Sequence, residues 1–367
     1  MKSIENKSKK ITGILIPILA AFILGAVLII SIGENPILTY KIMIQKSLFD
    51  SSGILKTLHF ASPLILTGLA IAITFKANIF NMGVEGAAVL GGFFAGVVGF
   101  SVHGLPPILH VILCLLTGVL TGMLFTLIPA ILKAYFKADE MVVTLMLNYV
   151  VFELVKYLSQ GVYRDPASGY VATYAISSSA MFNKLFGTDI TIFFFIALLA
   201  FFILYIVFKK TKLGYEITAI GKNPEFAEAM GMKVSTNIIK IMLISGALSG
   251  LAGAGYLMSE KYRFTLDFSG NPGLGWDGML IALLGSHNPI GVLIASIFYA
   301  ALKTGSEYIG IYTSVPKDIV AIIQGLLILF LSAKFVSDKF NITGLIKNKI
   351  NKKKSASIKL NENGGKQ

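Results

Sequence analysis

Ten apolar stretches punctuate the chain, at residues 11–32, 59–75, 83–101, 108–132, 140–158, 189–208, 238–258, 276–286, 290–309 and 316–334. Several approach or exceed the roughly 20 residues that carry a helix across a hydrocarbon core. Helix is the expected form, because an open sheet edge exposes backbone groups that lipid cannot satisfy. The stretch 276–286 is too short to cross unless protein buries its flanks, so broken or re-entrant backbone is expected near 76–86 and 271–286. The pattern predicts an all-α integral membrane protein of about ten transmembrane helices.

Charge then orients the spans. An even number places both termini on one side. The N-tail, Lys76, Lys133 with Lys137, the stretch from Lys209 to Lys240 and the C-tail all fall on that side, which the positive-inside bias makes cytoplasmic. Composition agrees: hydrophobic residues are 55% and charged residues 14% of 367. The mean hydropathy is +0.75, whereas a soluble domain carries nearer a quarter charged residues. The net charge of +13 gathers in tails and loops, with Lys347, Lys349, Lys352, Lys353, Lys354 and Lys359 in the last stretch. Beside membrane spans such a tail reports cytoplasmic location and contact with anionic lipid rather than nucleic acid. The first apolar stretch is too long for a secretory signal core and lacks a small-residue cleavage site, so it reads as a retained span. Cys114 lies inside an apolar stretch and has no second cysteine to pair with. The chain thus divides into a cytoplasmic N-tail (1–10), a transmembrane domain (11–334) and a basic cytoplasmic tail (335–367).

An internal echo adds a second layer. Gly83-Val84-Glu85-Gly86 is matched by Gly275-Trp276-Asp277-Gly278, each opening a small-residue apolar run. The two runs are the third and eighth spans. An odd offset of five inverts one half relative to the other, the arrangement of two inverted five-helix halves seen in many transporters. Acids inside a bilayer are costly and face protein or water, so Glu85 and Asp277, with Asn81 and Asn148 nearby, are candidates for a translocation pathway. An acid in the first turn of a half-helix is also stabilised by the helix dipole. Gly92 with Gly96, Gly118 with Gly122, and Gly246 with Gly250 read as close-packing faces. Glu153, Lys156 and His59 lie near span ends, where long or amphipathic side chains snorkel. Phe193, Phe194 and Phe195 read as lipid-facing.

Residues 209–237 interrupt the membrane pattern. Asn223 is an N-cap with Pro224 at the first helical position, acids follow in the first turn, and Gly231 can end the helix in a left-handed conformation. A helix of two turns is expected there. The segment Gly221-Lys222-Asn223-Pro224-Glu225-Phe226-Ala227 resembles the coupling loop of ABC importer permeases of the branched-chain amino acid and simple-sugar type. Asn81 to Gly86, Thr144 to Tyr149 and Ala282 to Pro289 resemble the nucleoside branch of that group. The resemblance covers about residues 11–334; one departure is Ala87-Ala88, where many relatives carry Gln after Glu-Gly. The resemblance implies a bacterial plasma-membrane permease with ATPase-coupling residues Gly221, Asn223, Pro224, Ala227 and Gly231. It implies separate ATP-binding subunits that hold ATP and Mg, a second permease subunit and an extracytoplasmic substrate-binding lipoprotein. The cargo it implies is a nucleoside first, then a simple sugar or a branched-chain amino acid.

The chain carries no Gly-x-x-x-x-Gly-Lys-Ser/Thr phosphate loop, so ATP chemistry is expected elsewhere. It has no His-Glu-x-x-His pair and no Gly-x-Ser-x-Gly elbow, so no catalytic or metal site is expected. Leu248-Ser249-Gly250 lies inside an apolar run and is a decoy for an ABC signature. An ion-coupled secondary transporter would account for the two acids, but not for the capped helix at 223–231.

Overall fold

The computed structural model describes residues 2–185, 187–269, 272–316 and 318–339. The lysines from Lys347 onward lie outside them. The described residues are mostly helical, and extended pairing among them is limited to isolated bridges such as Arg164 with Thr173. Each of the ten apolar stretches overlaps a helix, although the helices over 11–32 and 59–75 begin nine and eight residues earlier, at Lys2 and Ser51. Seven helices are long and apolar enough to cross a membrane among the described residues: α3 (Ser51–Lys76), α4 (Val84–Ser101), α5 (Pro107–Phe136), α6 (Glu140–Gln160), α7 (Ile192–Lys210), α10 (Val234–Tyr256) with its π-helical continuation Leu257–Lys261, and α13 (Pro289–Tyr312).

The chain forms two compact units. In one, α1 (Lys2–Ser31) packs with α14 (Asp318–Lys339), and α1 carries a buried stripe at Pro17, Ala21, Gly25 and Ile29. The spacing of four residues puts these side chains on one helix face.

The other unit, residues 34–317, is built around α3. Every residue from His59 to Phe75 is buried, as expected for a helix apolar on all sides and surrounded by others. By contrast, only 22% of the apolar window is buried in α6 and in α7, which leaves their outer faces for lipid. α2 (Pro36–Leu48) lies between the first two apolar stretches, where the apolar pattern marks no element. Asn35 caps it, accepting from Ile37 N at 2.9 Å, and its buried Thr39, Met43 and Ser47 form one stripe. The signal for this helix was an Asn-Pro start of the same kind as at 223–224.

Glycine sets the tightest seam. Gly118 and Gly122 of α5 face Gly246 and Gly250 of α10, and Gly91 of α4 closes on the same point. A Cβ at Gly250 would run into the Gly118 carbonyl, so the backbones can meet only without side chains. Behind this seam Phe93, Phe264 and Phe268 are fully buried, with Phe93 and Phe264 ring centroids 5.2 Å apart. Phe193 departs from its expected lipid-facing place. It is buried and stacks on Phe182 at 5.8 Å, because Phe182 from the preceding loop packs over the start of α7.

Candidate functional site

Helix direction follows from paired contacts. His59 meets Glu260 and Asn81 meets Ser245, so α3 and α10 are antiparallel. Gly91 packs on Gly250 and Gly96 on Leu257, so α4 runs with α10. α12 (Leu274–Leu284) places Gly278 on Thr67, and the His287 that follows it against Phe75, so it runs with α3. α4 and α12 therefore run in opposite directions. Their first turns touch, because a Cβ on Gly275 would collide with the Glu85 backbone.

Glu85 holds this junction. One carboxylate oxygen accepts from Gly273 N at 2.7 Å and the other from Gly275 N. A carboxylate at a helix N-terminus takes up donors that have no partner within the helix and meets the positive end of the dipole. Glu85 sits in the first turn of α4 while capping α12, so one charge serves two helix starts. Gly273 supports the turn with φ +81°, a conformation that suits glycine.

The irregular backbone before α4 is held from α6. Glu140 accepts from Phe80 N at 3.0 Å and Thr144 from Met82 N at 3.1 Å. Asn148 accepts from Gly86 N at 3.1 Å and donates to Met82 O at 2.9 Å. These three residues are spaced by four, so they form one polar ladder along a single face of α6. Lys133 adds an ion pair to Glu140 at 2.6 Å. Asn81 accepts from Gly83 N at 2.9 Å and donates to Ser245 at 3.0 Å. Non-helical backbone at membrane depth needs this satisfaction from surrounding protein.

All four candidate pathway residues thus gather around the α4 and α12 starts, but their surfaces differ. Asn81, Glu85 and Asn148 are buried, at 0%, 1% and 3% exposure. Asp277 is only partly buried and accepts from Tyr299 OH at 2.5 Å, which ties α12 to α13. Trp276 beside it is 39% exposed. Sequence reasoning passed over Glu140, Thr144 as a ligand of backbone, and Tyr299. The spacing Glu140, Thr144, Asn148 was the available signal for the first two.

At the far end of α3 the expected short helix is present. α9 (Pro224–Ala229) starts at Asn223, whose side chain accepts from Phe226 N at 2.9 Å, and Gly231 follows it with φ +81°. An amphipathic helix, α8 (Lys212–Lys222), precedes it and buries Gly214, Ile217 and Ile220. Gly221 lies on the Lys76 carbonyl, leaving no room for a side chain, and Ala227 is fully buried. The exposed surface of this end is Phe226 and Met230, at 63% and 65%, with Glu225 and Glu228. Among the described residues no group of three or more His, Cys, Asp or Glu side chains could hold a metal ion.

Comparison with known proteins adds the family context. Residues 53–332 match the family described as branched-chain amino acid transport system / permease component. The nucleoside ABC transporter permease protein NupB of Lactococcus lactis is 32% identical over 90% of this chain and 93% of its own length. The guanosine ABC transporter permease protein NupP of Bacillus subtilis is 32% identical over 89% of this chain and 95% of its own. A glucose ABC transporter permease protein of Haloferax volcanii is 32% identical over 86% and 85%.

Proposed function

The chain belongs to the family of branched-chain amino acid transport system permease components, and on that premise we propose that it carries nucleosides inward across a bacterial plasma membrane. It is a multi-pass membrane permease of the ABC transporter type. The observation that carries the cargo reading is the full-length similarity to a nucleoside and a guanosine permease. The equal identity to a glucose permease favours a simple sugar as the second reading.

In this proposal the chain is a conduit and ATP is hydrolysed on partner subunits, as the missing phosphate loop suggests. The α8–α9 end supports an ATPase-coupling role. Phe226 and Met230 offer an apolar surface rimmed by acids, while Asn223, Pro224 and Gly231 shape the helix. Gly221 and Ala227 seat it against the chain's own body. The partners in this reading are ATP-binding subunits, a second permease and a substrate-binding lipoprotein.

The meeting of the α4 and α12 first turns, with the helices running oppositely, supports the ten-span arrangement in two inverted halves. Here Asn81, Glu85 and Asn148 are positioning residues, and Trp276 with Asp277 presents the surface open to cargo. The 11–334 domain boundaries and cytoplasmic termini follow the same reading.

Deletion of the gene and its complementation, followed by uptake of tritiated uridine, tritiated guanosine and labelled glucose, tests the cargo. Nucleoside uptake should be lost and restored with the gene, with glucose uptake unchanged. Loss of glucose uptake alone would move the assignment to the sugar reading. Tags at Lys10 and Lys353 should both resist an impermeant external reagent in intact cells.

A further inference from the structure

At the end of the 34–317 unit opposite α9, a cavity of about 250 Å³ lies between the start of α3, the π-helical turn after α10, the end of α13 and the 184–189 loop. The distance from His59 to the α9 end at Lys76 is roughly 25 Å along α3 at 1.5 Å per residue. Seven charged or titratable side chains line the cavity: Lys56, His59, Lys184, Asp189, Glu260, Tyr262 and Glu307. Six of them form three pairs, two across elements and one within the 184–189 loop. Lys56 meets Glu307 at 2.5 Å, His59 Nε2 meets Glu260 at 3.0 Å, and Lys184 meets Asp189 at 2.7 Å.

Two further observations separate this cavity from an ordinary surface ion-pair cluster. His59 is only 6% exposed, so its contact with Glu260 carries the cluster below the surface. In addition, Glu260 stands on a π-helical turn, Leu257–Lys261, which departs from α-helix at the point where it reaches the cavity. Such turns are rare and frequent at functional sites.

We propose that this cavity is an outer subsite for the hydroxylated ring of a neutral cargo, the ribose in the nucleoside reading on which this inference rests. Carboxylates accept from vicinal hydroxyls, as acidic residues do with ribose in dinucleotide sites. Lys56 and Lys184 donate to ring and hydroxyl oxygens, and Phe60 supplies an apolar wall. The charges are mutually paired, so the cavity offers many hydrogen bonds without a strong field of one sign. That suits a neutral polyhydroxylated solute better than an anion or a cation. The volume accepts a sugar ring and leaves a base projecting out. A conduit needs such binding to be weak, because a solute held tightly does not move on.

The test is saturation-transfer NMR on the full chain in nanodiscs with its ATPase partner, without binding protein. The probes are uridine, uracil, D-ribose and D-glucose at millimolar concentration. The ribose protons of uridine should carry the strongest signal, D-ribose should compete and uracil should not. Glu307→Gln and Asp189→Asn should each lower the ribose signal at least threefold while the complex stays monodisperse. Signal concentrated on base protons, or unchanged in both variants, or absent from wild type, overturns the subsite. Cellular uptake of uridine in any of those cases leaves the transport proposal standing. Glucose binding as strongly as ribose supports the subsite and counts against a nucleoside cargo.

Discussion

A carboxylate in hydrocarbon is costly unless its lone pairs are taken up, and both Glu85 oxygens accept from backbone N–H groups of the α12 start. Glu85→Leu would leave those donors buried and unmatched, at a cost of about 1–3 kcal/mol each. The expected result is a lower unfolding temperature in detergent and loss of transport. Glu85→Gln keeps one oxygen acceptor and the shape, so its loss should be smaller, about 1–2 kcal/mol. Equal unfolding temperatures for the two variants would refute the cap. Outside the spans, Lys184 donates to Asp189 and holds its carboxyl below the usual aspartate range, while the Lys184 ammonium is raised by the same bond. For a depressed acid, the stabilisation is present above the unfolded pKa and fades as pH falls through the lower folded value. For the raised lysine it is present below the unfolded pKa and fades as pH rises through the higher folded value. A carboxyl ¹³C titration should place Asp189 below an ordinary aspartate, and Lys184→Met should move it back up. Both side chains are largely exposed, so global stability should barely respond.

Helix pairs respond according to how closely their backbones approach. Gly250→Ala would drive a methyl into the Gly118 carbonyl, so α5 and α10 must separate. The expected destabilisation is about 1–3 kcal/mol, read as reduced thermal stability and yield. Gly310, near the end of α13, has nothing within 4 Å of a built Cβ. Gly310→Ala should leave packing intact and stabilise by about 0.5–1 kcal/mol through helix propensity. The two alanines should therefore move the melting temperature in opposite directions; movement in the same direction would count against the seam. The α9 end separates two effects in the same way. Ala227→Arg perturbs the chain's own packing, whereas Phe226→Asp with Met230→Asp alters only exposed surface. The double variant should fold and insert normally yet fail to retain the ATPase on affinity purification. Full retention would move the coupling surface elsewhere.

Across the whole molecule, contrasts in burial follow the two solvents it meets. α3 is surrounded by protein, α6 and α7 present apolar side chains outward, and charged groups cluster at the two ends of the 34–317 unit. One end carries α8 and α9 with their lysines and acids. The other carries the ion-paired cavity. A conduit between them would pass the α4 and α12 starts, where the only partly open surface among the four candidate residues is at Asp277.

The helical stretches, the capped start at Asn223-Pro224 and the paired Gly-x-acid-Gly motifs were legible in the sequence, because each rests on local chemistry: apolar run length, capping geometry and repeated spacing. α8 was hidden because its eleven residues are short and amphipathic rather than apolar throughout. The partners of individual polar residues were decided only by tertiary structure. Glu85, Asn81 and Asn148 read as pathway candidates from the cost of polar groups in a bilayer, and only the fold shows what their side chains meet, such as the Gly275 N–H that Glu85 accepts from 190 positions away. His59 read as a snorkelling side chain near a span end, and folding buried it against Glu260, 201 positions along. Periodicity reports which face of a helix is apolar, but which partner meets a polar atom depends on segments distant in the chain arriving at the same point.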